Sequence, residues 1–182
     1  MPYSVEKTAL DSVLLLQPRV FSDARGFFFE SFNQREFQLA TGLNLEFVQD
    51  NHSKSAHGVL RGLHFQVQHP QGKLIRVPQG RIFDVAVDIR PDSPQYGQWT
   101  GHVLDSEKHQ QLWIPGGFAH GFLVLSETAE VIYKTTDYWV AADEDSIIWN
   151  DPDLNIAWPL NEIKVPPLLS AKDAAARTFI RP

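Results

Sequence analysis

Short runs of apolar and β-branched residues, many of them alternating with polar residues and bounded by turn-forming residues, recur along the whole chain. Runs of this length and period predict β-strands. Ten segments fit the pattern: 12–20, 26–32, 45–51, 59–65, 73–77, 81–89, 99–104, 111–114, 118–125 and 129–140. Short strands spaced this closely favour an antiparallel sandwich, jelly roll or barrel over alternating β and α units.

Two segments predict helices instead. Residues 33–41 form a short helical stretch closed by Gly42, and residues 170–177 begin at Ser170, a favourable N-cap, and continue into an alanine run. The chain contains no internal repeat, no low-complexity stretch and no linker rich in Pro, Gly or Ser. We therefore expect a single domain over residues 1–182.

The segment 81–89 is the most informative predicted strand, because its two faces differ in chemistry. Alternation places Phe83, Val85, Val87 and Ile89 on one face and Ile82, Asp84, Ala86 and Asp88 on the other. The first face is expected to pack against a second sheet. The second carries two carboxylates, which are costly in a dry core unless they are paired or hydrated. Alternation alone fits a solvent-facing side and a polar barrel lumen equally well.

Composition and charge narrow the function. The 182 residues are 43% apolar and 21% charged, as in an ordinary globular protein, and the net charge of -6 disfavours nucleic acid and membrane surfaces as partners. The absence of cysteine excludes disulfides, thiolate catalysis and sulfur-ligated zinc. The N-terminal residues do not resemble a signal peptide and no apolar run reaches the roughly 18 residues of a membrane span, so a cytoplasmic location is expected.

Candidate chemistry falls in three clusters of the sequence. The first joins residues 49–53 (QDNHS) to 58–66 (GVLRGLHFQ), the second is 72–76 (GKLIR), and the third is 113–122 (WIPGGFAHGF) with Tyr133 one strand later. A lone histidine in an apolar strand is more often a hydrogen-bonded core residue than a catalyst. Two of them, His64 and His120, near a lysine, an arginine and a tyrosine favour a functional site.

A metal site is not expected in these clusters. Residues 115–120 fit the P-x-G-x-x-H motif of cupins, but the first motif of metal-binding cupins has H-x-H followed by a glutamate, and here glutamine occupies the second histidine position at Gln66. Catalytic transition metals usually have three protein ligands, and two histidines fall short of that number. The chain also lacks a glycine-rich dinucleotide loop, so no nicotinamide cofactor is expected.

Histidine, lysine and tyrosine without a metal suit proton transfer beside a ketone. A histidine has the right pKa to remove a proton near neutral pH. A lysine or arginine in a dry barrel can stabilise the enolate oxygen, and a neutral tyrosine can return a proton from the opposite face. Epimerisation next to a ketone could therefore use side chains alone.

Seven segments together resemble the dTDP-4-dehydrorhamnose 3,5-epimerase family: 26–31, 48–53, 60–66, 72–74, 83–90, 113–122 and 149–152. The resemblance extends from about residue 13 to residue 174. It implies a mainly β, cupin-type jelly-roll barrel with a few short helices that acts as a homodimer. It also implies cofactor-free conversion of dTDP-4-dehydro-6-deoxy-D-glucose into dTDP-4-dehydro-L-rhamnose.

The resemblance also implies roles for individual residues. His64 is the base, Tyr133 the proton donor, and Lys73 lies closest to the developing enolate oxygen. An aspartate is expected behind the base, with Asp173 as the first choice and Asp84 as the second. The positions that contact the sugar nucleotide are Arg25, Glu30, Gln49, Asn51, Arg61, His120, Glu144 and Lys172, and Tyr138 is expected to stack on the thymine.

One geometric conflict and three alternatives remain open from sequence. Strict alternation puts Arg61 and His64 on opposite faces of their strand, so both can reach one ligand only if Gly62 marks a bulge or twist. The alternative functions are a related sugar-nucleotide 3-epimerase or 3,4-ketoisomerase, a non-catalytic sugar-nucleotide-binding cupin, and a metal-dependent cupin oxygenase.

Overall fold

The computed structural model describes residues 3–180 as two facing antiparallel sheets, one detached hairpin and three short helices. The six-stranded sheet has the order β1 (Tyr3–Lys7), β2 (Leu14–Pro18), β10 (Gln111–Ile114), β7 (Lys73–Gln79), β12 (Thr128–Thr135) and β5 (Gln49–Ala56). The five-stranded sheet has the order β13 (Glu144–Ser146), β6 (Leu60–Gln66), β11 (Phe118–Val124), β8 (Arg81–Asp88) and β9 (Trp99–Asp105). The hairpin is β3 (Phe21–Asp23) with β4 (Gly26–Phe28), and the helices are α1 (Gln34–Thr41), α2 (Leu160–Ile163) and α3 (Ala171–Ala174). The mainly β prediction is confirmed.

Several element boundaries differ from the prediction. β5 begins four residues later than expected and continues to Ala56, while β12 stops at Thr135 instead of residue 140. The start of β5 and the end of β12 coincide, because the pairing of these two strands ends where Thr135 lies opposite Gln49. The C-terminal helix is a single turn, since the chain at Arg177 leaves the helix to bond Ile148. β1, β3, β13 and α2 were not predicted.

Helix α1 follows the prediction closely. The Asn33 side chain accepts a hydrogen bond from the Glu36 amide at the N-terminus, and Gly42 ends the helix in the left-handed conformation at φ 74°. The buried face of α1 presents Phe37, which packs edge-on against Trp113 on the outer face of the six-stranded sheet. Between residues 3 and 180 there is no helix long and apolar enough to span a lipid bilayer.

The two faces of β8 are oriented opposite to one sequence expectation. Ile82 and Ala86 point between the sheets and pack with Ile75 of β7, so the face that also carries Asp84 is the interior one. Val85, on the other face, packs against the C-terminal segment, where Trp158 belongs to the same cluster. The expectation that the apolar face meets the second sheet is therefore wrong, because residues 147–179 cover it. The carboxylate face lines the barrel lumen, and Asp84 is fully buried there.

Candidate active site

Two adjoining cavities share Arg61, His64 and Glu144: the first, of about 290 Å³, lies between the sheets, and the second, of about 330 Å³, lies between the five-stranded sheet and residues 168–173. The five-stranded sheet supplies one wall of the first cavity through Arg61, His64, His120, Phe122 and Glu144. The six-stranded sheet supplies the facing wall through Ser53, Lys73 and Tyr133. Arg61, His64 and Glu144 also border the second cavity, which extends toward Ser170 and Lys172. A ligand of nucleotide-sugar length could occupy both.

Gly62 resolves the conflict between Arg61 and His64. His64 pairs with His120 and Arg61 with Phe122, so two residues of β6 face the single Gly121 of β11. Gly62 has φ 121°, and a Cβ there would lie 2.5 Å from the Gly121 Cα atom. Only glycine fits such a close backbone approach. The bulge brings Arg61 and His64 to the same cavity, as the sequence argument required.

His64 is oriented by a buried aspartate. Its Nε2 atom lies 2.5 Å from Oδ1 of Asp173, and the Ser170 hydroxyl donates to the other carboxylate oxygen at 2.7 Å. Burial raises the pKa of Asp173, but the hydrogen bonds from His64 and Ser170 more than offset this and lower it. An ionised Asp173 holds the imidazole as the Nε2–H tautomer and stabilises its protonated form. Nδ1 is then the atom that can accept a proton.

Asp84, the second choice for the aspartate behind His64, does not contact that histidine. Both of its carboxylate oxygens lie 2.9–3.0 Å from Nε2 of His120, so it orients His120 and not His64. Burial lowers the pKa of His120, against the opposing effect of Asp84, which favours a neutral imidazole near neutral pH. The site therefore contains two histidine–aspartate pairs. Their histidines lie on the adjacent strands β6 and β11.

Lys73 and Tyr133 stand on the facing sheet. Lys73 is buried, and desolvation lowers its pKa to about 8 although Asp84 and Glu144 act in the opposite direction. Burial raises the pKa of Tyr133, with Glu144 adding to the effect and Arg61 opposing it. At neutral pH the cavity thus holds a cationic ammonium group beside a protonated phenol.

The charged residues expected to bind the ligand lie at the boundary of the two cavities. Nε of Arg61 donates to the Ser55 hydroxyl at 3.0 Å, which leaves the other guanidinium nitrogens for a ligand. Lys172 donates to Glu144 at 2.6 Å. Burial raises the pKa of Glu144, but the hydrogen bond and charge of Lys172 outweigh it and keep the carboxylate ionised.

Polar residues of β5 lie near the cavity mouth. The Gln49 amide nitrogen donates to the Asn51 side chain at 2.9 Å, and Asn51 is the cross-strand partner of Tyr133. The side-chain oxygen Oε1 of Gln49 accepts from the Trp139 backbone amide at 3.1 Å. Trp139 lines the first cavity, whereas Tyr138, the residue expected to stack on the base, is 62% exposed and borders neither cavity.

Arg25 and Glu30 lie away from this cluster within one chain. Arg25 sits in the β3–β4 hairpin, where it pairs with Asp23 at 2.5 Å and its side chain is 90% exposed. Glu30 accepts a hydrogen bond from Asn33 at 3.2 Å, just before α1. Neither residue borders the cavities that contain His64.

Sequence reasoning missed several residues that line or support the site: Ser53, Gln71, Phe122, Trp139, and Ser170 as a partner of Asp173. Alternation could have found Ser53, which shares a strand face with Gln49 and Asn51. No sequence signal could place Gln71, which lies outside the strands. Among residues 3–180, no group of three or more His, Cys, Asp or Glu side chains could hold a metal ion.

Two facing antiparallel sheets around a cavity with two histidines, a lysine and a tyrosine define a cupin-like protein whose cavity holds groups suited to proton transfer. A family model described as dTDP-4-dehydrorhamnose 3,5-epimerase matches residues 7–180, and the chain belongs to this family. The predicted family and the cupin-type fold are thereby confirmed.

Named relatives are similar to this chain over nearly its whole length. The dTDP-4-dehydrorhamnose 3,5-epimerase of Pseudomonas aeruginosa is 57% identical, covering 95% of this chain and 94% of its own. The Salmonella typhimurium enzyme of the same name is also 57% identical, covering 94% and 93%. The crystal structure of the Legionella pneumophila enzyme in complex with dTDP-4-keto-L-rhamnose is 48% identical, with a TM-score of 0.93 and coverage of 97% and 92%.

Proposed function

We propose that this chain converts dTDP-4-dehydro-6-deoxy-D-glucose into dTDP-4-dehydro-L-rhamnose by inverting C3 and C5 beside the C4 ketone. The observation that carries the proposal is the placement of His64 and Tyr133 on facing sheets around one cavity. Inversion requires removal of a proton from one face of a carbon and delivery to the other. Because His64 and Tyr133 lie on opposite walls of the cavity, they can approach the two faces of the same carbon.

In the proposed reaction, Nδ1 of His64 takes the proton from the carbon next to the ketone, and the electron pair moves onto the C4 oxygen. The Lys73 ammonium group stabilises the enolate that forms, and Asp173 stabilises the imidazolium. The Tyr133 hydroxyl then gives its proton to the opposite face as the ketone re-forms. Exchange with water returns His64 and Tyr133 to their starting states before the second carbon reacts.

We assign the remaining residues to binding. Arg61 faces the diphosphate, since its fork of donors suits phosphate oxygens. His120, held neutral by burial, contacts the sugar, while Glu144 and Lys172 bind where the two cavities meet. Both sheets contribute to the one cavity, which supports a single catalytic domain over residues 1–182.

Proton NMR of the reaction in D2O is the direct test. We expect deuterium at both C3 and C5 and an L-rhamno product, at a rate that is unchanged by EDTA because side chains perform every step. Deuterium at C3 alone would identify a 3-epimerase, and migration of the carbonyl a 3,4-ketoisomerase. No exchange would leave a binding protein. Activity lost on chelation and regained with zinc, iron or nickel would contradict side-chain catalysis.

We further propose a homodimer in which the hairpin of one protomer completes the site of the other. Phe21, Phe27 and Phe28 are all more than half exposed on the hairpin, which pairs with neither sheet of its own chain. Burying such side chains on a second copy is favourable. The outermost strand β5 carries Gln49 and Asn51 toward the mouth, so a partner hairpin beside it would bring Arg25 to the ligand.

Mixing one impaired and one inactive variant tests the dimer. Arg25→Ala should lower kcat/KM by roughly 10- to 100-fold, because it removes a charged hydrogen bond to the ligand. Mixed with His64→Ala after subunit exchange, it should recover about one quarter of wild-type activity, as one complete site forms in each heterodimer. If native mass spectrometry shows heterodimers but the mixture does not recover activity, Arg25 does not contribute to the partner's site. Arg35→Ala, an exposed arginine on α1, is the control and should stay fully active.

A further inference from the structure

The segment between β12 and β13, residues 136–143, forms a loop at the cavity mouth and is called the aromatic loop below. It presents two aromatic side chains to solvent, Tyr138 at 62% and Trp139 at 54% exposure, and Val140 beside them is also exposed. Exposed side chains contribute little burial energy, so they do not hold this backbone in place. Polar contacts to the backbone have to do so.

Backbone bonds between Thr136 and Gly72 and between Val67 and Asp143 hold the two ends of the loop. Three glutamine side chains make contacts to its middle. Gln71 donates to the Asp137 carbonyl at 2.8 Å, and Gln49 accepts from the Trp139 amide at 3.1 Å. Gln66 makes two hydrogen bonds to the loop: its side-chain oxygen accepts from the Val140 amide at 2.6 Å, and its side-chain nitrogen donates to the Tyr138 carbonyl at 3.2 Å. The same nitrogen donates to the His69 carbonyl at 2.8 Å.

Gln66 is the member of this set that no substrate contact explains. It is buried, lies at the end of β6, and borders neither cavity. It occupies the position of the second histidine in the H-x-H motif of metal-binding cupins. A carboxamide offers a donor and an acceptor on one planar group, so it can bond a backbone carbonyl and a backbone amide of the same loop, as a neighbouring strand would. A carboxylate at this position could only accept.

We propose that Gln66 is a positioning residue that fixes the aromatic loop in its ligand-binding conformation before the ligand arrives. This inference rests on the proposed function and on the expectation that Tyr138 of the loop stacks on the thymine, next to Trp139, which lines the first cavity. A loop ordered in the free protein spares the ligand the cost of ordering it, and that cost otherwise appears as weaker binding. The chemistry at the sugar, performed by His64, Lys73 and Tyr133, does not depend on Gln66.

The predicted signature is a change in binding without a change in turnover. In Gln66→Met, which keeps the length of the side chain and removes its polar atoms, we expect the Kd for dTDP and the KM to rise about tenfold, because two of the three hydrogen bonds that are lost hold the loop. The kcat should stay within about threefold of wild type, since no group at the reacting carbon changes. Calorimetric titration with dTDP and steady-state kinetics provide the two values. Gln68→Met, two residues away with an exposed side chain, is the matched control and should change neither.

Hydrogen exchange of the wild-type protein provides a test that needs no variant. The amides of Trp139 and Val140 should be protected from exchange in the free protein, because Gln49 and Gln66 bond them. Protection that appears only after dTDP is added would overturn the proposal, as would an unchanged dTDP affinity in Gln66→Met or a kcat loss without a KM change. Failure of the wild type to turn over the keto-sugar would count against the proposed function alone, since dTDP binding and amide exchange do not require turnover.

Discussion

His64→Ala is expected to abolish both deuterium uptake and inversion, whereas Tyr133→Phe is expected to stop inversion and leave deuterium uptake in place. Without the base no enolate forms, so neither process can begin. Without the tyrosine hydroxyl the enolate still forms, and His64 returns a solvent-derived proton to the face from which it took one. Proton NMR of recovered substrate in D2O should therefore show label at C3 or C5 with retained configuration in Tyr133→Phe.

Matched variants separate these roles from general damage. His52→Ala changes an exposed histidine paired with Glu130 on the outer face of β5, and Tyr96→Phe removes a hydroxyl that bonds the Ile180 carbonyl. Both should remain active. Nearly full inversion in Tyr133→Phe would make Tyr133 a packing residue, and equal loss of exchange in the two site variants would mean that Tyr133 shapes the site as a whole.

Lys73→Ala is expected to lower kcat by roughly 10²–10³, the usual cost of removing one group that stabilises an oxyanion. Its affinity for dTDP should change little, because in the proposed function the ammonium group faces the C4 oxygen of the sugar and not the nucleotide. The pH dependence provides a second measurement. Burial lowers the pKa of Lys73 to about 8, and the charged form is the active one, so kcat/KM of the wild type should fall as pH rises through about 8.

The residual activity of Lys73→Ala should lack this alkaline decline if Lys73 causes it. Lys134→Ala is the control, since Lys134 lies one strand away on the opposite face of the same sheet and pairs with Asp50 at 2.9 Å. Normal turnover with poor dTDP affinity in Lys73→Ala would reassign Lys73 to the diphosphate. An alkaline decline that persists in the variant would assign the titration to another group.

Local sequence predicted what depends on local physics. Strand period, turn residues and the closing Gly42 were enough for most strands and for α1, because these features act within a few residues. The order of the motifs along the chain was enough to identify the family. The broken H-x-H motif at Gln66 predicts that a metal site is absent, and this stays a prediction.

Pairings between distant segments could be decided only by the folded chain. Whether Asp173 or Asp84 supports His64 depends on where a one-turn helix more than a hundred residues away docks against β6, and the structure assigns one aspartate to each histidine. The face of β8 that turns inward depends on residues 147–179 covering the other face, which alternation cannot detect. The aromatic loop leaves the sheet after Thr135 despite its strand-forming residues, since the pairing of β12 with β5 ends at Thr135 and Gln49.

The sequence by itself determined most of the strands, the chemical types at the site and the family, since each is encoded in residue identity and spacing. The tertiary structure decided which of those residues share a cavity, which aspartate orients which histidine, and how Arg61 and His64 meet across the bulge at Gly62. These depend on docking and backbone geometry between segments far apart in the chain, where hydrophobic period carries no information.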